Sequence, residues 1–187
     1  MLPIEWEQRG VAYLYQMRAL APEPELIDLV YQLEVRRSIC VWIGQHIETV
    51  NAHLADLGRA CQACFHPWQQ RSIAIFAVPL SDRFGLDGIC NLQTHPVTIL
   101  VDVGRVVPAD WLALVAHEYA HAHLGVPGHP REFVEVLAHL ARGLNLRLPP
   151  LSAPAACWPA APAYARTPDP HAFWQGLAIS PLSPRSR

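Results

Sequence analysis

The spacing of apolar residues predicts that the first third of the chain is helical. Apolar residues recur at helical intervals over residues 4–20 and again over residues 24–57. Glycine is a poor helix former, so Gly44 is expected to kink or divide the second segment and Gly58 to end it. The pattern therefore predicts two or three helices before residue 60.

Short β-branched runs replace this pattern in the middle of the chain. Residues 72–79 and 96–103 are predicted strands, with a weaker strand over 89–93 between them. Helical spacing returns over residues 110–124 and 130–145. The predicted fold is α+β, with N-terminal helices, a small three-stranded and mostly antiparallel sheet, and two later helices. The strand at 96–103 is expected to be of the edge type.

The last part of the chain differs in composition. Nine of the 18 prolines fall within residues 149–187. Proline lacks a backbone donor and fixes φ, so this segment is predicted to be an extended tail that packs on the domain surface or is partly disordered. Residues 1–148 are predicted to form a single domain, with a helical part at 1–58 and the sheet and later helices at 70–145.

Composition and charge exclude several classes of protein. Charged residues make up 16% of the chain and the formal net charge is −2, and without a basic cluster no nucleic-acid partner is predicted. No uncharged apolar stretch reaches about 18 residues, so no transmembrane segment is predicted. Five unevenly spaced cysteines and the lack of an export signal favour a reducing, cytoplasmic location. The low charge content leaves a protein partner or an oligomer open.

The candidate chemistry lies in the sequence HEYAH, residues 117–121. Residues at i and i+4 share one helix face, so His117 and His121 can bind one metal ion, while Glu118 lies about 100° away. Two neutral imidazoles and a third protein group can hold Zn²⁺, which lowers the pKa of a bound water to about 7. Glu118 would then take the proton. Because the helix is apolar nearly all round, a carboxylate there is costly unless it is paired or near a metal.

The third ligand has several candidates. His129 follows His121 by eight residues, across a link rich in glycine and proline that can turn the chain back, and it is the preferred candidate. Glu132 and Glu135, on the following helix, and Cys90, on or near a strand, are the alternatives.

At this point the sequence resembles a known group of enzymes. HEYAH at 117–121, the preceding strand PVTILVDV, and His129 followed four residues later by Phe133 resemble the small zinc metallopeptidases of the SprT and YgjP kind. The resemblance covers about residues 70–145. It implies a minimal gluzincin-like architecture, in which a small sheet packs against the metal-binding helix.

The resemblance also implies roles for single residues. His117, His121 and His129 would be the ligands of one Zn²⁺ per chain, and Glu118 would be the general base. Phe133 would be a packing residue that fixes the turn.

Two related groups keep the alternatives open. The ImmA/IrrE-like peptidases take their third ligand as a glutamate from the following helix, which corresponds to Glu132 or Glu135. Peptide deformylases take a cysteine from an upstream strand, which corresponds to Cys90.

These features predict a zinc-dependent metallopeptidase that hydrolyses peptide bonds through a Glu-activated, zinc-bound water. A peptide or protein substrate would add to the sheet edge near residues 97–103. The alternative is a non-catalytic metal-binding, scaffold or assembly protein that retains a zincin-like fold.

A second cysteine-containing motif is weaker. Cys61 and Cys64 form a CxxC pair followed by His66, and a second zinc site would need a further ligand such as Cys90 or His95. Two unremarkable thiols in a loop are the preferred interpretation.

Overall fold

The computed structural model describes residues 3–28, 33–147 and 164–177. Its elements confirm the predicted α+β class, with helices before and after a three-stranded sheet. In chain order they are α1 (Pro3–Leu20), α2 (Leu33–Ala63), β1 (Ile73–Ala77), β2 (Gly88–Asn91), β3 (Val97–Val101), α3 (Trp111–Leu124), α4 (Arg131–Gly143) and α5 (Pro170–Trp174).

Two glycines let α1 and α2 pack backbone against backbone. A Cβ added to Gly10 would lie 1.9 Å from the Cys40 carbonyl oxygen, and one added to Gly44 would lie 2.1 Å from that of Trp6. Gly44 does not divide the helix, since α2 runs unbroken from Leu33 to Ala63. Because glycine has no side chain, α1 and α2 can approach closely at this position.

Helix α2 also differs from the prediction at both ends. Residues 24–26 form a separate 3-10 turn, and α2 continues five residues past Gly58. A Cβ at Gly58 would lie 2.6 Å from Cδ1 of Ile75 in β1. Glycine is therefore tolerated inside the helix because α2 touches the sheet at this point, and buried Cys61 extends the apolar face.

The sheet has the order β1-β3-β2, with β3 in the middle. β2 pairs antiparallel with β3, whereas β1 pairs with it in parallel, so the sheet is mixed where a mostly antiparallel one was expected. The expectation that residues 96–103 form an edge-type strand is wrong, because β3 has a partner on each side. All but the first residue of β3 are buried, which explains why its residues are mostly apolar and β-branched.

Helix α3 lies at the centre of the fold and contacts α2, α4, β2 and β3. Its apolar character on nearly all sides follows from this position. Trp111, Leu114, Val115 and Tyr119 are each at most 1% exposed. The helix that carries HEYAH is thus held from several directions.

A C-terminal strap, residues 164–177, packs on this core. Val106 and Arg166 form an isolated antiparallel bridge, and buried Trp174 donates its indole N–H to Asp102 Oδ1 at 2.7 Å. This segment was predicted to be an extended tail on the surface, but its residues Pro170–Trp174 form the short helix α5 and Trp174 is buried in the core. The rest of the proline-rich segment, with Cys157 and Trp158, lies outside the described residues.

Candidate metal centre

Three imidazoles converge at the C-terminal half of α3. His117 and His121 on α3 and His129 beyond it each offer a ligand atom, and these atoms all lie within 4.8 Å of one another. The Nε2 atoms of His117 and His129 are 3.2 Å apart. Tetrahedral coordination with Zn–N bonds of 2.0–2.1 Å requires nitrogen atoms about 3.3 Å apart. This group can therefore hold a metal ion.

The link between α3 and α4 brings His129 back to the helix. Gly125 ends α3 with a φ of 70° and donates its N–H to the His121 carbonyl, and Gly128 has a φ of 77°. Both angles lie in the left-handed region that favours glycine. Two left-handed residues in this short link reverse the chain and place His129 beside His117.

The surroundings keep the three rings neutral, as metal ligands must be. Burial, assisted by its two histidine neighbours, lowers the pKa of His117 to about 3. Burial likewise lowers the pKa of His121 to about 4 and that of His129 below its usual range. All three are ready to bind a cation near neutral pH without first losing a proton.

A buried phenyl ring packs against all three imidazoles. The ring centroid of Phe133 lies 5.0 Å from that of His117, 4.4 Å from that of His121 and 4.5 Å from that of His129. The His121 ring also hydrogen bonds to the backbone of Val126. Such contacts fix ring orientation, which is what a preformed metal site requires.

Glu118 lies beside this cluster and is 5% exposed. Burial, together with the negative charge of Asp87, raises the pKa of Glu118 to about 8. A Cβ at Gly88 would lie 2.8 Å from Glu118 Oε1, so only glycine lets the start of β2 approach the carboxyl this closely. A bound dication would favour the ionised form of Glu118 and oppose this shift.

The three histidines and Glu118 line one cleft of about 600 Å³. Residues 85–90, Leu92 and the strap residues Tyr164 and Arg166 also line it. Asp87 Oδ2 accepts hydrogen bonds from Tyr164 Oη at 2.8 Å and from Arg166 Nη2 at 2.7 Å and Nε at 3.1 Å. Asp87, Tyr164 and Arg166 were not among the site residues predicted from the sequence. Aromatic residues in the proline-rich tail were the available signal that this segment packs on the core.

The alternative third ligands lie elsewhere. Glu132 and Glu135 are on the exposed face of α4, and both glutamates line a different cavity. Glu135 also forms an ion pair with Arg131. Cys90 lines the cleft but is outside the group of converging ligand atoms.

The CxxC pair gives no metal site among the described residues. Cys61 lies in the last turn of α2, not in a loop, and Cys64 follows the helix; both thiols are free. Burial raises the pKa of Cys61 to about 12 and also raises that of Cys64, so both groups are thiols near neutral pH in the metal-free protein.

Comparisons with known proteins place the chain in no family. No protein-family model matches it, and no curated protein or solved structure gives a match. Among the described helices, none combines the length and apolar character needed to cross a bilayer.

Proposed function

We propose that this protein is a zinc-dependent metallopeptidase of the SprT/YgjP-like, minimal gluzincin type. The observation that carries the proposal is the placement of three neutral imidazoles and a buried glutamate around one open cleft. His117, His121 and His129 are the ligands, and Glu118 is the general base. The SprT-like assignment depends on the sequence motif alone. Peptide hydrolysis is supported by the motif and also by the arrangement of the three imidazoles and Glu118.

The number of protein ligands favours a catalytic over a structural site. Structural zinc sites usually have four protein ligands, whereas catalytic sites have three and leave one position for water or substrate. Within the described part of the chain, three residues converge, and they face a cleft with room for a substrate. Imidazole nitrogen suits Zn²⁺ but also accepts other transition metals.

Bound zinc would polarise the scissile carbonyl and acidify a water molecule. The chain's own residues supply the remaining steps. Glu118 accepts a proton from the attacking water and passes it to the departing amine. Burial of Glu118 strengthens its interactions, and the backbone at Gly88 confines its carboxyl group to the cleft wall.

Strand β2 is the edge at which we expect an extended substrate to bind. The expectation of binding along residues 97–103 is wrong, because β3 is paired on both sides. In the described residues β2 pairs only with β3, and its residues Gly88, Ile89 and Cys90 line the cleft. A peptide can therefore add to β2 by backbone hydrogen bonds beside Glu118.

Elemental analysis tests the metal site. We expect about one zinc per wild-type chain and loss of most of it in His129→Ala. His46→Ala is the matched control, since His46 is exposed on α2 and its removal should leave the zinc content unchanged. A zinc-free wild-type protein after reconstitution would contradict the proposal.

Glu118→Gln separates the enzyme from a scaffold that retains the metal. We expect this variant to keep its zinc and to lose hydrolysis of a peptide library, read by mass spectrometry, because the amide cannot accept the proton. Zinc-loaded wild-type protein that cleaves nothing in the library would favour the non-catalytic, metal-binding alternative.

A further inference from the structure

We propose that Arg166 recognises a carboxylate on the substrate, so that the cleft selects peptides with a negative charge near the bond to be cleaved. The inference rests on the proposed function. It is carried by a guanidinium that is fixed on the cleft wall and still open to the cleft.

Asp87 holds this guanidinium in place. Arg166 donates from Nε and Nη2 to Asp87 Oδ2, and its backbone is fixed by the bridge to Val106. Asp87 is in turn fixed because its carbonyl accepts the Asp102 N–H at 2.8 Å and its carboxylate accepts the Tyr164 hydroxyl. An arginine oriented in this way has lost its side-chain freedom before a ligand arrives, which reduces the entropic cost of binding.

The guanidinium keeps donors for a ligand. It has five N–H groups, of which two donate hydrogen bonds to Asp87. The side chain of Arg166 is 57% exposed, even though the carboxylate side chain that it contacts is buried. The planar fork matches a carboxylate, and a charge-assisted pair of this kind is stronger than a neutral hydrogen bond.

The charges around the cleft also favour an anion. Its charged lining residues are Asp87, Glu118 and Arg166. With a divalent cation on the histidines, the formal charges of this set are net positive even when both acids are ionised. The apolar lining, which includes Leu86, accepts the rest of a peptide.

Ligand binding to the Co²⁺-substituted protein tests this without using activity. The probes are mercaptoacetyl-leucine with a free carboxylate, its amide, and mercaptoacetyl-aspartate α-amide, each also made with one additional leucine. Their thiolates bind the metal and change the visible cobalt spectrum, which gives a Kd. The first and third probes distinguish a C-terminal carboxylate from an acidic side chain.

We expect wild-type protein to bind at least one carboxylate probe about tenfold or more tightly than the uncharged amide. Arg166→Gln should abolish this preference. The double variant Asp87→Asn/Arg166→Gln should do the same while avoiding an unpaired buried acid. Arg59→Gln is the matched control, because Arg59 is a surface arginine paired with Asp56 on α2.

The outcomes separate the two proposals. Failure of wild-type protein to bind Co²⁺ would remove both the proposed function and this inference. A second outcome is that the wild-type protein binds Co²⁺ and the thiol probes, with equal affinity for the carboxylate and amide forms. This result would overturn only the role of Arg166. A carboxylate preference that persists in the double variant would overturn it as well.

Discussion

Trp174→Phe should destabilise the protein strongly, although residue 174 lies in a proline-rich tail. Its indole is fully buried and donates to Asp102 at 2.7 Å, and its ring packs edge-on against Trp42 and Phe173. Phenylalanine retains part of the aromatic packing and removes the donor. The substitution therefore tests mainly the link between the strap and the buried carboxylate.

The structure gives the magnitude. Asp102 keeps three other donors, the backbone N–H groups of Leu80 and Gly104 and the Arg105 side chain. Loss of one hydrogen bond to a charged group costs about 1.5–3 kcal/mol. The smaller ring leaves a cavity that adds about 1 kcal/mol. We expect a loss of roughly 2–4 kcal/mol, equivalent to a fall in Tm of roughly 5–15 °C for a chain of this size.

The loss should depend on pH. Burial raises the pKa of Asp102 to about 6, against the lowering effect of the hydrogen bond from Trp174. A raised folded-state pKa means that this carboxyl favours folding most at low pH, and that its contribution is lost as the pH rises through about 6. Because the indole stabilises the charged form more than the neutral one, Trp174→Phe should cost more at pH 8 than at pH 5.

Urea denaturation at these two pH values measures both effects. Trp68→Phe is the matched control, because Trp68 is 79% exposed and its substitution should change the free energy of unfolding by less than about 0.5 kcal/mol. A Trp174→Phe variant as stable as this control would refute the reasoning. A larger loss at pH 5 than at pH 8 would show that Asp102 is not the group involved.

Two further substitutions test close backbone approaches. Gly44→Ala should lower the free energy of unfolding by about 1–3 kcal/mol, because its Cβ would lie 2.1 Å from the Trp6 carbonyl oxygen; greater stability in urea, as expected for alanine in an open helix, would contradict the packing. Gly88→Ala should displace the Glu118 carboxyl, whose Oε1 would lie 2.8 Å from the new Cβ, and should reduce peptide hydrolysis at unchanged zinc content. Full activity in that variant would show that Glu118 is not confined by β2.

Local pattern was sufficient to predict most helices, the strands and the converging histidines. HEYAH places His117 and His121 on one face of α3 through helical geometry, and the glycines after α3 indicate a chain reversal that returns His129 to them. Each of these inferences depends on residues within about a dozen positions of one another. The same local reasoning did not find the role of Gly44, because that role depends on the contact with α1.

The far wall of the cleft could not be predicted in this way. Asp87 and its partners Tyr164 and Arg166 are separated by 77 and 79 residues, and no periodicity records such a contact. The edge assignment failed for a similar reason. The apolar residues of β3 indicate that its side chains are buried, but they do not indicate which strands pair with its two edges, and here β1 and β2 pair with one edge each.

The buried carboxyl groups show why the strap belongs to the domain. Asp87 and Asp102 are 6% and 2% exposed, and an unpaired buried carboxylate is costly. The strap supplies Arg166 to the first and Trp174 to the second, so deleting it would leave two acids in the core with fewer donors. Glu118 is different, because its neighbouring charge among the described residues is Asp87, which has the same sign. A cation bound by the histidines would offset the buried negative charge of Glu118, as the strap does for Asp87 and Asp102.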